Sequence, residues 1–147
     1  MKQVSYVMQF KGVAKPKPGA DGVLLTDSTS STASIMTSIG NHGVDAEIRN
    51  GSGVARFSSE ARLTRDGGVI EHGTIRFGDA GSLEFSTRGT GAIGPSRVPG
   101  LRHGAICWDV NGGSGVFEGA TGIITSNFLV GEGGDVMDHH WGVIFLT

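Results

Sequence analysis

Apolar and polar residues alternate with a period of two along most of this sequence, and glycine interrupts the alternation at nearly every junction. Successive side chains of a β-strand point to opposite faces, so such a run makes a ribbon with one dry and one wet face. Val54 to Arg65 shows the pattern plainly. Ala55, Phe57, Ala61 and Leu63 fall on one parity, and Arg56, Ser58, Glu60 and Arg62 on the other. Comparable runs cover Val4–Ala14, Val69–Phe77, Ser82–Arg88, His103–Val110, Ile123–Val130 and Val136–Thr147, with short candidates at Ile35–Ile39 and Val44–Arg49. No stretch sustains the 3.6-residue apolar period of an amphipathic helix. The 26 glycines among 147 residues follow no collagen triplet, so they serve turns and close strand crossings. Eight or nine strands at hairpin spacing predict an all-β chain. A single antiparallel β-barrel of calycin type, residues 1–147, fits best because closure removes exposed edges, and a β-sandwich is the alternative.

One domain of this length, 37% hydrophobic, buries a core without disulfides or metal. Lys and Arg number 12 against 14 Asp and Glu, interspersed, so there is no basic stripe for nucleic acid and no polybasic patch for a membrane. No apolar run is long enough for a signal core or a bilayer span, and the expected location is cytoplasmic. The lone Cys107 has no internal disulfide partner and reads as a small core hydrophobe.

Residues 26–34 are Ser, Thr, Asp and Ala only, which predicts a long loop, either a lid over a binding site or a surface loop. Gly89–Gly100, rich in glycine and proline, predicts a second irregular loop, and His42 falls in a solvated turn. Asn111–Gly122 predicts a tight turn between two strands that plugs one end of the β structure, with Phe117 and Ala120 tucked beneath. It is no phosphate cradle, since neither Gly-Lys-Ser/Thr nor a helical pattern follows.

The pattern Gly115-x-Phe117-x-Gly119-Ala120-x-Gly122, with a following Ser/Thr-bearing strand and a final Gly142-x-Ile144-x-Leu146, resembles the C-terminal half of the allene oxide cyclase and dirigent β-barrels. The resemblance covers about the last 45 residues; before them only the rhythm of strands matches. It implies an apolar cavity that folds a reactive substrate with few polar residues and no cofactor. It also implies a homodimer or homotrimer, an expectation joined by the apolar Ile144 and Leu146, read as outward. No catalytic position is carried over from it.

Among polar groups, the adjacent His139 and His140 point to opposite strand faces and cannot grip one ion together, and no His-x-His pair exists, so no metal site is expected. Ser114 lies in no Gly-x-Ser-x-Gly elbow and reads as a turn residue. Glu71 is different. It shares parity with Val69, Ile75 and Phe77, and a buried carboxylate is costly unless hydrogen-bonded or functional. Expected catalytic residues are Glu71, His139, His103 and Asn127, with Phe57, Phe85, Trp141 and Phe145 as the apolar wall around a small hydrophobic organic ligand. The expected function is a cofactor-independent isomerase, cyclase or lyase using general acid–base chemistry. A noncatalytic carrier barrel is the alternative, and a scaffold protein a third reading.

Overall fold

A computed structural model describes the backbone of residues 1–147 and the side chains of all but 32–34. The alternating runs form nine antiparallel strands: β1 (Lys2–Pro16), β2 (Val23–Gly40), β3 (Gly43–Leu63), β4 (Gly68–Phe77), β5 (Gly81–Thr87), β6 (Gly91–Pro95), β7 (Leu101–Gly115), β8 (Thr121–Gly131) and β9 (Asp135–Leu146). They make one sheet in the order β3-β2-β1-β9-β8-β7-β5-β4, closed by the β3–β4 pairing. β5 pairs with the latter half of β7, and β6 bridges the first half of β7 to the start of β4. Nine strands therefore fill eight positions of a closed barrel, and the barrel expectation is met.

Register follows the dry face. Met8, Phe10, Phe57, Ile75, Leu83, Phe85, Trp108, Ile124 and Ile144 are buried in one interior column. Phe57 stacks on Phe85 with ring centroids 5.3 Å apart, and Trp108 leans on both at 5.6 and 4.6 Å. The turn is shorter than the expected 111–122, since 111–115 continue β7 and 121–122 begin β8; the reversal between them closes the lower end, where Phe117 packs on Phe77 at 5.3 Å and Ala120 is buried. This reversal uses left-handed φ at Gly115 (+65°) and Gly119 (+67°), where a Cβ would strain the backbone. Gly142 has a different task. A Cβ there would lie 2.2 Å from Cε1 of Tyr6, so the missing side chain makes room for the tyrosine ring inside the wall.

Several expectations change. Residues 26–34 are not a loop or lid but part of β2, whose inward positions Ser28 and Ser30 are buried. Small polar side chains line the wall there, so no apolar alternation marks the strand. β2 and β3 then run on beyond the barrel as a hairpin arm, paired from Ala33↔Asn50 to Gly40↔Gly43, which absorbs the two short strand candidates. Gly89–Gly100 is irregular only in part, since it holds β6. Cys107 lies between inward Ile106 and Trp108 and so faces outward, half-buried, rather than into the core. Ile144 is 1% exposed and Leu146 packs on the core, so neither supports an outward apolar face.

Candidate active site at the upper mouth of the barrel

The cavity opens at the barrel end opposite the turn that holds Phe117. It measures about 60 Å3 and is lined by Phe57, Ala61 and Leu63 of β3, Val69 and Glu71 of β4, Ile93 of β6, Phe128 and Val130 of β8, Val136 and Asp138 of β9, with Ala14, Leu24 and Thr26 at its edge. Two carboxylates thus line one mostly apolar mouth, and no lysine or arginine is among the lining residues.

Glu71 is 8% exposed. Thr87 fixes its backbone from β5, with the threonine hydroxyl accepting from the Glu71 N–H (2.7 Å) and donating to its carbonyl (2.9 Å). The side chain accepts a short hydrogen bond from the Ser59 hydroxyl. Burial pushes the Glu71 carboxyl up to about 7; the negative charge of Asp138 pushes the same way, while Ser59 and the nearby Trp108 indole pull it back. The Trp108 influence acts through proximity, because its N–H has no partner in hydrogen-bonding geometry.

Asp138 is held from two sides. Ser126 donates to Oδ1 at 2.6 Å, and Nε2 of His140 lies 2.9 Å from Oδ2. The His140 ring sits among Phe10, Phe57 and Trp108, at centroid distances of 4.5, 5.2 and 5.0 Å. Burial raises the Tyr6 phenol, and the Asp138 charge adds to the rise. Among the described residues, four buried side-chain polar atoms have no hydrogen-bond partner: the Tyr6 and Ser28 hydroxyls, Nε1 of Trp108 and Nδ1 of His140. Buried groups of this kind ordinarily find a partner, so water or a ligand is the natural one.

Of the residues expected from the sequence, Glu71, Phe57 and Phe85 are inside. The others are not. His139 and Asn127 pair across β8–β9 on the outer face, joined on that face by His103 of β7, in a wide open groove with Ala105 and Leu129. Nε2 of Gln9 donates to Nε2 of His139 there at 3.0 Å. Trp141 is 62% exposed on the outer wall, and Phe145 shares its parity. The expected register on β8 and β9 was displaced by one residue, which turns every side chain to the other face. Asp138, His140 and Ser126 are the polar residues that reasoning from sequence missed. Among the described residues, no three His, Cys, Asp or Glu side chains converge as a metal site, and no helix is long and apolar enough to cross a membrane.

No family model matches the sequence, and no curated protein does. A solved structure of the pterocarpan synthase dirigent protein GePTS1 is similar, with a TM-score of 0.56 and 14% identity over 97% of this chain and 84% of that one. At that identity the likeness speaks for the fold alone. It agrees with the resemblance carried by the Gly115–Gly122 pattern, and the chain has the closed eight-position barrel seen in that dirigent protein.

Proposed function

We propose that the barrel is a cofactor-independent isomerase, cyclase or lyase that acts on a small hydrophobic organic molecule by proton transfer at Glu71. The observation that carries this reading is a buried carboxyl, raised to about 7, in a mostly apolar mouth that a second carboxylate also lines. Two titratable groups in one site with unlike surroundings are the usual basis for dividing acid and base roles. Near neutral pH a large fraction of Glu71 keeps its proton and can hand it to a substrate oxygen, so that a C–O bond breaks as that oxygen leaves. The negative charge of Asp138, anchored by Ser126 and His140, stabilises positive charge left on the substrate carbon. Glu71, then ionised, recovers a proton as the product forms, which closes the cycle without a co-reactant.

The cavity of about 60 Å3 admits a reacting group while the rest of the molecule lies against Ile93, Phe128 and Val130 in the mouth. Two carboxylates and no lining cation disfavour anionic substrates. The structural neighbour is named as a pterocarpan synthase, and a small organic substrate is in keeping with that name. The reading extends to a chain without a membrane or nucleic-acid partner. A carrier barrel needs the apolar lining but gives no role to a titrating carboxyl.

The test is to incubate the protein with a panel of hydroxylated aromatic compounds and follow products by chromatography and mass spectrometry. Wild-type protein is expected to convert at least one compound, and Glu71→Gln to convert it at least roughly tenfold more slowly while binding it as well. Binding without conversion by both proteins would establish the carrier instead.

A further inference from the structure

The hairpin arm has one apolar face that is largely exposed toward its tip, with Ile35 and Ile48 half-buried at its base. Cross-strand partners share a face, so Ile35, Thr37 and Ile39 of β2 lie beside Ile48, Ala46 and Val44 of β3. The opposite face carries Met36 with Glu47 and Ser38 with Asp45. Ile39 is 85% and Val44 72% exposed. Among the described residues, residues 33–40 and 43–50 pair only with each other, leaving both edges of the arm open. A lone two-stranded ribbon is marginal in water, and an unpaired edge backed by an apolar face invites a partner.

The same molecule offers a matching surface. On the outer wall, Val7, Trp141, Val143, Phe145 and Ile123 form a contiguous patch, because Val7↔Trp141, Val143↔Ile123 and Gln3↔Phe145 stand in register across β1, β9 and β8. The patch lies at the lower end of the barrel, the end from which the arm leaves. Each surface is about 17 Å long and 10–14 Å wide from strand rise and spacing. One arm on one wall covers too little for a stable complex. Two reciprocal contacts bring the flat footprint to roughly 700–950 Å2, which side-chain relief carries toward the ~1,000 Å2 where specific interfaces begin. A bilayer fits less well: the arm's apolar face spans about 17 Å, short of the roughly 25 Å apolar band of membrane β-barrels.

We infer that the arm of one copy packs its Ile35–Ile39 and Val44–Ile48 face on the Trp141 wall of a second copy, in a reciprocal two-fold exchange. The substitutions that test it fall on exposed side chains, so each variant keeps the barrel, as circular dichroism will show. In sedimentation the full wild-type chain is expected at twice its monomer mass. An arm variant, Ile39→Asp with Val44→Asp, and a wall variant, Trp141→Lys, are each expected to weaken association at least about tenfold. Mixing the two variants restores the dimer, since one contact is then wild type and the other pairs Asp with Lys. Overturning results are a monomeric wild type at high micromolar concentration, an arm variant that stays dimeric, or a mixture that stays monomeric. Flotation of a monomeric wild type with zwitterionic lipid vesicles would assign the arm to lipid and overturn the inference as well.

Discussion

Replacing Glu71 by Gln keeps the shape of the side chain and an oxygen for the Ser59 hydroxyl, and it removes the titration. The native carboxyl is raised from its ordinary 4.5 to about 7, so between those values the folded protein holds a proton that the unfolded chain has lost. Stability then falls as pH rises: the contribution is fully present below about 4.5 and gone once pH has passed through about 7. At about 1.4 kcal/mol per pH unit the whole change is on the order of 3 kcal/mol. Other groups titrate too, but they do so in both proteins, and the difference between wild type and Glu71→Gln isolates this one. Chemical denaturation of both at half-unit steps from pH 4 to 8 should show wild type losing about 3 kcal/mol relative to the variant. In thermal unfolding that corresponds to roughly 6–12 °C for a chain of this size. A difference that stays flat across the window would show that Glu71 is solvated in the folded state, and the proton-transfer proposal would fall with it.

Gly142→Ala places a Cβ against the Tyr6 ring, and an overpacking cost of about 1–3 kcal/mol in thermal denaturation is expected. Asp138→Asn removes a negative charge beside Glu71, so the Glu71 titration, followed by carboxyl carbon NMR, should move to lower pH. His103→Ala, Asn127→Ala and His139→Ala act on the outer groove, and turnover of any substrate found should change by less than about twofold. Trp108→Ala empties the largest fully buried side chain from the aromatic core and should cost about 3–5 kcal/mol in denaturant unfolding.

The register of β3, β4 and β5 was legible because each has one clearly wet face, Arg56 and Arg62 in β3, His72 and Arg76 in β4, and Glu84 in β5. That is why Phe57, Phe85 and Glu71 were placed inside correctly. β9 defeats the same reasoning. Both its faces carry apolar residues, Val136, Ile144 and Leu146 inward against Trp141, Val143 and Phe145 outward, so period two offers no contrast. The outward set also has the larger rings, which drew the expected cavity wall to the wrong side. The inward polar residues Asp138 and His140 pair through Nε2 of the histidine, a compensation visible only when both occupy one interior. A signal was present in β1, whose clean parity puts Tyr6, Met8 and Phe10 inside and would have fixed β9 had their pairing been known. β2 was hidden for another reason: its wall positions are serines, and the arm beyond them leaves Ile39 exposed, so no dry face marks it.

The most direct measurement is the titration of the Glu71 carboxyl itself, by carbon NMR on protein labelled at glutamate side chains, with the resonance assigned by its loss in Glu71→Gln. The account expects an apparent pKa of about 7 in the folded barrel. A value near the ordinary 4.5 would contradict it, since a carboxyl ionised throughout the neutral range has no proton to give.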